Sequence, residues 1–463
     1  MTHRTDDVSA ALKEKFKGDL LRPGDSRYAE ARAIWNAMVA RNPALIARCA
    51  DVADVQAAVR AAANGGVFPA VRCGGHSIAG FSTCEGGMVI DLTRLRDVVV
   101  DTESRRARAG GGCLLSSVDF ATQKANLVFP AGVVSHTGAG GLILGGGTGW
   151  LTRLFGLSCD NVVGFTLVTA DGSLVHANDK ENSDLFWALR GGGGNFGIVT
   201  EFELKLHSLT SVTIGSGFCI GDGIFDTLRY WRDFMHDAPE ELKWNVNLRV
   251  APDLPNVPAE ARGRPVLSET AVWFGGSERG RKLLDHIFSI GKPVGVTRGT
   301  ISFLALQTMA DLEFPHGRRC YTKSGYFAAL GDDSIENMIG SLAWVPPGNT
   351  QIELAYLGGA AARVGASETA FGDRSAPYIV NLLADWQGSD SDAANVEWVR
   401  GLFAKLRPAM KPGAYVNFMS GDEKDRVAEA YGSLWERLIA VKTRYDPRNF
   451  FRLNQNIQPN VPV

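Results

Sequence analysis

The chain has 463 residues, of which 45% are hydrophobic and 21% are charged, a composition typical of a globular protein. Its 48 basic and 50 acidic residues give a net charge of −2, which argues against binding to nucleic acid or to an anionic membrane. The seven cysteines include no CxxC pair, so we expect neither a disulfide framework nor a zinc site. No secretory signal or membrane span is recognisable, and we expect a cytoplasmic protein.

The first 210 residues contain several patterns of regular structure. Apolar residues spaced like one face of a helix run over 52–63 and stop at Asn64-Gly65. Asp171-Gly172 predicts the turn of a hairpin over 166–177. The other predicted elements are strands over 67–72, 87–92, 97–101 and 198–206 and a helix over 182–190 with Ser183 as its N-cap.

Residues 210–410 have fewer glycine clusters and a proline-rich loop over 251–265, and mixed strands and helices are expected there. The tail is more regular. Ser420 and Glu423 form a capping-box pattern that predicts one long helix over 420–445, stopped by Asp446-Pro447.

Three glycine-rich stretches stand out among the 53 glycines: "RCGGHSIAG" (72–80), "SHTGAGGLILGGGTGW" (135–150) and "RGGGGNFGIVTEF" (190–202). Any one of them is more often a set of turns, but three together favour loops whose backbone N–H groups approach a large anionic ligand. The third stretch contains GxGxxG at Gly192, Gly194 and Gly197. A Rossmann motif follows a strand and opens a helix. Here a helix is predicted before it and a strand after it, so we reject that interpretation.

His76 lies between the glycines of the first stretch. Taken alone, it is most simply a structural histidine, and metal ligation is disfavoured because no second ligand lies at suitable spacing. Neither a GxSxG nor an HExxH motif is present.

Longer segments carry a family resemblance: "VRCGGHSIAGFSTCEGGMVIDLTRL", "GVVSHTGAGGLILGGGTGW", "DLFWALRGGGGNFGIVTEFEL" and the region from "YVNFMSGDEKD" to "NQNIQP". They resemble, in family order from about residue 30 onward, the berberine-bridge-enzyme-like FAD-linked oxidases of the vanillyl-alcohol-oxidase (PCMH-type) fold. "YTKSGY" and "ELAYLGGAAARV" resemble the favorskiiase type of bacterial flavoenzymes in polyketide tailoring. The resemblance implies an α+β fold with a two-part FAD-binding domain (1–208 and 412–463). A substrate domain (209–411) is expected between them, with an antiparallel sheet backed by helices.

The resemblance also implies how FAD is held. His76 occupies the position of the histidine that bonds covalently to the 8α carbon of the flavin. A second, cysteinyl bond is not expected, because Val134 aligns with the cysteine of doubly linked relatives, whereas Cys159 lies elsewhere in the pattern. The residues expected to bind the cofactor are His76, Arg72, Gly74, Gly75, Ser77, Gly80, Thr137, Gly138, Gly140, Gly141, Gly145, Gly194, Asn195, Gly197, Ile198, Tyr415 and Asn417.

The catalytic residues follow less directly from the family pattern. Thr137 aligns with the position that governs access of O₂ to the reduced flavin. Phe418 replaces the tyrosine that serves many relatives as base, and a phenyl ring cannot accept a proton. Glu353 is the first candidate for the base, because a carboxylate in a flavin pocket can have a raised pKa. Tyr321 and Tyr415 are secondary candidates, although Tyr415 is expected rather to support the flavin ring, and Lys323 is a candidate substrate contact.

The expected reaction is oxidation of a small organic molecule, an alcohol, phenol, sugar or polyketide, with O₂ as electron acceptor. Three alternatives remain: an oxygenase of the flavin-N5-oxide type, a dehydrogenase with another acceptor, and a flavoprotein that only binds its ligand. No metal is expected, and the sequence leaves the oligomeric state open.

Overall fold

The computed structural model describes residues 2–255 and 257–460. The first part of the chain, up to Ser208, forms a four-stranded sheet in the order β1-β2-β4-β3, a five-stranded antiparallel sheet in the order β5-β6-β10-β8-β9, and a short β7-β11 pair. Its helices are α1 (Thr2–Leu12), α2 (Tyr28–Arg32), α3 (Val52–Asn64), α4 (Leu115–Gln123), α5 (Ala139–Leu144), α6 (Thr152–Phe155) and α7 (Ser183–Leu189). Its strands are β1 (Asp19–Leu21), β2 (Leu45–Arg48), β3 (Pro69–Arg72), β4 (Met88–Asp91), β5 (Val98–Asp101), β6 (Arg106–Gly110), β7 (Leu127–Val128), β8 (Val162–Val168), β9 (Leu174–Ala177), β10 (Ile198–Lys205) and β11 (His207–Ser208).

The middle part is a seven-stranded antiparallel sheet in the order β15-β12-β14-β13-β17-β18-β16, which confirms the expected α+β class. Its strands are β12 (Ser211–Ile220), β13 (Leu242–Val250), β14 (Pro265–Trp273), β15 (Val294–Ser302), β16 (Arg319–Phe327), β17 (Gln351–Tyr356) and β18 (Tyr378–Trp386). Its helices are α8 (Gly223–Phe234), α9 (Ser277–Ile287), α10 (Phe303–Gln307), α11 (Asp332–Ser341), α12 (Ala360–Arg363) and α13 (Asp392–Leu406).

One face of this sheet is covered by helices α8, α9, α11 and α13, which share a hydrophobic core with the strands. Strand β13, "LKWNVNLRV", explains the arrangement because its residues alternate between apolar and polar. Leu242, Trp244, Val246 and Leu248 enter the core, where Trp231 Nε1 of α8 donates to the Trp244 carbonyl at 2.9 Å. The polar residues of β13 therefore face the opposite side of the sheet.

Most of the predicted elements of the first part are confirmed. Helix α3 begins after Asp51, whose carboxylate accepts from the Asp54 N–H at 3.0 Å. Strands β8 and β9 form the predicted hairpin, with Gly172 at φ +80° in its turn. The GxGxxG stretch follows α7 and precedes β10, as expected for a loop that is not a Rossmann motif. The N-cap of α7 is Asn182, so Ser183 is its first helical residue and not its cap.

The prediction of one long helix over 420–445 is wrong. The structure has two short helices there, α14 (Val427–Tyr431) and α15 (Trp435–Tyr445), separated at Gly432 with φ +53°. Glycine enters this left-handed region at little cost, so the chain turns where a continuous helix was expected. The capping box is half formed: Glu423 accepts from the Ser420 N–H at 3.0 Å, but the Ser420 hydroxyl donates to the Thr322 carbonyl at 2.8 Å.

The C-terminal segment packs on the first part of the chain. Residues of α14 and α15 share a hydrophobic core with β6, β8 and β10. A buried ion pair fixes α15: Lys442 Nζ donates to Asp446 Oδ2 at 2.6 Å and to the carbonyls of Asn195 and Phe451 at 2.7 and 3.0 Å. The division at residues 208 and 411 stays a prediction. In the described part of the chain, no helix has the length and apolar character to cross a bilayer.

We predict that Lys442→Met destabilises the protein by about 3–5 kcal/mol, because it leaves Asp446 as an uncompensated buried charge. Urea unfolding, followed by tryptophan fluorescence, measures the change. Lys411→Met is the matched control, since Lys411 pairs with Asp373 in a half-exposed position and such a pair contributes about 1 kcal/mol or less. Equal losses for the two variants would contradict the prediction.

Candidate functional site

A cavity of about 560 Å³ lies between the glycine-rich loops of the first part and the polar face of the seven-stranded sheet. The C-terminal segment completes its wall, so all three parts of the chain contribute. Thirteen of the predicted cofactor-binding residues line it: Gly74, Gly75, His76, Ser77, Thr137, Gly138, Gly140, Gly141, Gly194, Gly197, Ile198, Tyr415 and Asn417.

The other four predicted cofactor-binding residues, Arg72, Gly80, Gly145 and Asn195, lie outside the cavity lining. Arg72 donates to the Ala31 carbonyl and lines a second pocket. The Gly80 carbonyl accepts from Arg41 at 2.8 Å. A Cβ at Gly145 would collide with the Asn417 side chain, so this glycine makes room for a lining residue. Asn195 is fully buried, and its amide bonds to the carbonyls of Gly192 and Gln455 at 2.9 and 3.1 Å, which ties the third glycine stretch to the C-terminal segment.

Two of the glycine stretches contact each other directly. A Cβ at Gly74 would collide with the Gly138 backbone, and a Cβ at Gly138 would collide with Gly74, so neither position accepts a side chain. Gly141 and Gly194 differ, because apart from the adjoining backbone no protein atom lies within 4 Å of where their Cβ would be. The loops are therefore tightly packed against each other and leave open space on the cavity side.

His76 lies at the edge of this space in an aromatic setting. Its ring stacks on Trp35 with centroids 4.5 Å apart, and its Nε2 shares a hydrogen bond with His136 Nδ1 at 3.2 Å. Enclosure lowers the pKa of His76 to about 3, with smaller contributions from His136 and His316. The imidazole is therefore neutral at physiological pH. Among the described residues, no group of three or more histidine, cysteine or acidic side chains is placed to hold a metal ion.

The opposite wall of the cavity is a polar row that crosses four strands. Ser268, Asn247, Glu353 and Asn381 are successive cross-strand partners of β14, β13, β17 and β18, and all four line the cavity. Two amides hold the carboxylate of Glu353: Asn381 Nδ2 donates to it at 2.7 Å and Gln351 Nε2 at 3.0 Å. Removal from bulk water raises the pKa of Glu353 despite these hydrogen bonds.

Tyr415 and Asn417 form one corner of the cavity. The buried Tyr415 hydroxyl accepts from the Gly147 N–H at 3.0 Å and from Asn417 Nδ2 at 2.9 Å. Asn417 Nδ2 also donates to the Leu142 carbonyl at 3.1 Å, so the two side chains are fixed on the second glycine stretch. Phe418 lines the cavity beside them, with its ring 4.8 Å from that of Tyr415.

Three other side chains considered from the sequence lie outside the lining. The Tyr321 hydroxyl donates to Asp422 Oδ2 at 2.8 Å, and Lys323 pairs with Glu423 at 3.1 Å. Cys159 is fully buried in an apolar cluster, and burial raises the pKa of its thiol. Val134, by contrast, lines the cavity.

Several lining residues were missed by the sequence reasoning, above all Trp35, Trp150 and Lys243, and so was His136, which contacts His76 from outside the lining. The alternation of "LKWNVNLRV" predicts a strand with one polar face, and such a face usually meets solvent. Which residues cover that face is a tertiary property. His136 stands next to Thr137 in a stretch that was noted only for its glycines.

Comparisons with known proteins give the family. A family profile described as an FAD binding domain matches residues 43–178. A second profile, described as "berberine and berberine like", matches residues 414–458. An FAD-linked oxidoreductase of Dictyostelium discoideum is 32% identical over 452 residues, 96% of each chain. The (R)-6-hydroxynicotine oxidase of Paenarthrobacter nicotinovorans is 30% identical over 459 residues, 96% of this chain and 97% of that protein. The crystal structure of 6-hydroxy-D-nicotine oxidase from Arthrobacter nicotinovorans superposes with a TM-score of 0.84 at 28% identity, covering 96% of this chain and 99% of that one.

The chain belongs to the berberine-bridge-enzyme-like FAD-linked oxidases of the PCMH-type fold. It is an FAD-dependent oxidoreductase. The residues present fit FAD, because Gly141 and Gly194 open onto the cavity. The Tyr431 hydroxyl and Asn454 Oδ1 at its wall are buried without a partner among the described residues. The finer likeness to the favorskiiase type stays a prediction.

We predict that Gly141→Leu yields a folded protein that has lost most of its flavin, because the new side chain has no protein atom to displace and projects into the FAD site. The ratio of flavin to protein absorbance measures the loss, and circular dichroism checks the fold. Gly340→Leu is the matched control: Gly340 is also an exposed helical glycine with open space around it, but it lies in α11, away from the cavity. Full flavin content in Gly141→Leu would contradict the prediction.

Proposed function

We propose that the protein is an oxidase that holds FAD through a single covalent bond at His76 and oxidises a small organic substrate with O₂ as acceptor. The observation that carries the proposal is a neutral, oriented imidazole on the wall of the FAD cavity. FAD, when bound, would supply the hydride-accepting redox chemistry. The chain's own residues bind and orient the reactants and move the proton.

His76 suits covalent attachment because an unprotonated ring nitrogen is required to bond the 8α carbon of the flavin. Its low pKa keeps the ring unprotonated, and the stack on Trp35 together with the hydrogen bond to His136 fixes its orientation. Cys159 lies outside the cavity lining and Val134 lines it without a thiol, which supports one bond and not two.

Glu353 is the base of the proposed reaction. It faces the cavity in the middle of the polar row, and two amides aim its carboxylate. In its ionised form it would accept a proton from the substrate, while FAD, when bound, would supply the electron acceptor. Tyr321 is less suitable, because its hydroxyl is engaged outside the cavity lining.

The polar row suits a substrate that carries hydroxyl groups, such as an alcohol, a phenol, a sugar or a polyketide. Ser268, Asn247 and Asn381 offer both donors and acceptors on either side of Glu353. Thr137 lines the cavity with a small side chain, which supports access of O₂ to the cofactor. A cytoplasmic location is part of the same proposal.

We predict that wild-type protein precipitated with acid gives a yellow, fluorescent pellet and that His76→Ala gives a colourless one with the flavin in the supernatant. His136→Phe should lower the linked fraction severalfold, because the His76 ring loses its hydrogen-bond partner. Cys159→Ser is the control and should leave the pellet unchanged. A colourless wild-type pellet, or loss of colour in Cys159→Ser, would refute the single histidyl bond.

We predict that Glu353→Gln lowers the rate of flavin reduction by about 10²–10⁴-fold, as expected for loss of a general base, while the flavin stays linked. The wild-type rate should rise with pH through the raised pKa of Glu353, because the ionised form is the base. Substrate is found by screening with peroxide detection, and stopped-flow absorbance then measures the rate.

Glu269→Gln is the matched control for this experiment. Glu269 is also a buried carboxyl on the same sheet, and burial raises its pKa to about 7, but it faces the helices and bonds to Trp244 Nε1. Its replacement should leave the rate of flavin reduction unchanged. Equal effects of the two variants would show that Glu353 acts through the fold and not as a base.

A further inference from the structure

A buried lysine of the seven-stranded sheet faces the cavity. Lys243 lies on the polar side of β13, lines the cavity and is 5% exposed. It makes no hydrogen bond or ion pair with any residue in 2–255 or 257–460. Burial of an ammonium group is unfavourable unless a counter-charge or acceptor compensates it. An amine kept in such a place is therefore expected to meet an acceptor that the protein does not supply.

A second donor lies at the same end of the cavity, and a nearby guanidinium outside the lining adds positive charge. Trp150 lines it, and its indole Nε1 is buried without a partner among the described residues. Trp150 packs in an apolar cluster with Val272, which is the cross-strand partner of Lys243. The guanidinium of Arg153, in helix α6 that packs on β13, adds positive potential at Lys243.

Within the described ranges, no carboxylate contributes to the electrostatics of Lys243. Arg153 is the one charged group, among the residues the structure describes, whose field alters the titration of Lys243. Glu353 lies on the same face of the sheet but opposite Asn247, four residues further along β13, or about 13 Å at ~3.3 Å per residue. The donors and the proposed base thus occupy different positions in the cavity.

We propose that Lys243 and Trp150 form a subsite for a carboxylate of the substrate, at the end of the cavity remote from Glu353. This inference rests on the proposed function, since it names the substrate class of the same site as an organic acid. A carboxylate accepts from both the ammonium and the indole N–H, and charge-assisted hydrogen bonds of this kind are stronger than neutral ones. The acidic group of the substrate then lies several bonds from the carbon that is oxidised.

The protonation of Lys243 follows from its surroundings. Burial, with a smaller effect of Arg153, lowers its pKa to about 7. The groups that face it are Val272 from β14, Arg153 from α6 and Asn245 from its own strand, and none is an acid. A bound carboxylate favours the ammonium form, so binding takes up a proton. Affinity for an anion should be highest below about pH 7 and should fall as pH rises through that value.

We predict that the flavin-containing protein binds benzoate and phenylacetate about tenfold or more tightly than benzamide and phenylacetamide at about pH 6. Lys243→Met should remove this preference, and Trp150→Phe should weaken it severalfold. Lys323→Met is the matched control, because Lys323 is a partly buried lysine of the same sheet that pairs with Glu423 outside the cavity lining. Isothermal titration calorimetry measures the four affinities. It does not depend on turnover, and the absorbance of the flavin checks the fold of each variant.

The outcomes separate this proposal from others. Wild-type protein that binds the acids no better than the amides overturns it, and so does a preference that survives in Lys243→Met. If Lys243→Met does not fold, an unchanged preference in Trp150→Phe overturns it. Sulfite titration of the flavin separates one further case. If the wild-type protein forms a flavin–sulfite adduct and Lys243→Met does not, while the preference for acids is intact, the amine of Lys243 interacts with the flavin and not with a substrate carboxylate. Because calorimetry does not require a covalent bond, failure of the His76 linkage leaves this test valid.

Discussion

The arrangement of the whole site depends on the contact between two backbone segments at Gly74 and Gly138. Neither position has room for a Cβ, so the segments approach each other more closely than any side chain allows. This contact places His76 beside His136, at the boundary between the glycine-rich loops and the seven-stranded sheet. The same loops stay open where they face the cavity, which lets a large cofactor lie against the backbone. The cost of so many glycines in chain entropy is thus offset by a binding surface that larger residues would close.

The seven-stranded sheet contributes to the site because its two faces differ in chemistry. The apolar residues of β13 enter a core with four helices, while its polar residues, with their neighbours on β14, β17 and β18, face the cavity. The two parts of the chain are held together near His76 by Asn36, whose amide donates to the carbonyls of Ile78 and Cys320 at 2.9 and 2.8 Å. Polar groups that would be solvated on an ordinary sheet are here removed from bulk water. Burial therefore lowers the pKa of Lys243 and raises the pKa of Glu353, and both shifts favour the neutral form of the side chain.

Local sequence patterns predicted local structure well in the first part of the chain. Helix α3, the β8–β9 hairpin and the helix–loop–strand order around GxGxxG all follow from periodicity, turn residues and breakers over short distances. The prediction failed over 420–445, where helix-forming residues on both sides of Gly432 look continuous although the backbone turns there. It failed again at Ser420. The Ser420 hydroxyl, which a capping box would engage at the start of the helix, donates instead to the carbonyl of Thr322, a residue distant in sequence. In both places a tertiary contact or a backbone torsion outweighed the local preference.

The sequence by itself determined the family, the FAD cofactor and the candidate role of His76, because these depend on short motifs whose residues are neighbours in the chain. Only the tertiary structure decided which of the candidate side chains face the cavity. It placed Glu353 in a polar row of the cavity wall and left Tyr321 and Lys323 outside the lining. It also brought Trp150 and Lys243 to the cavity wall and His136 against the ring of His76. The physical reason is that a strand pattern fixes which residues share a face of a sheet, whereas what covers that face is set by segments far away in sequence.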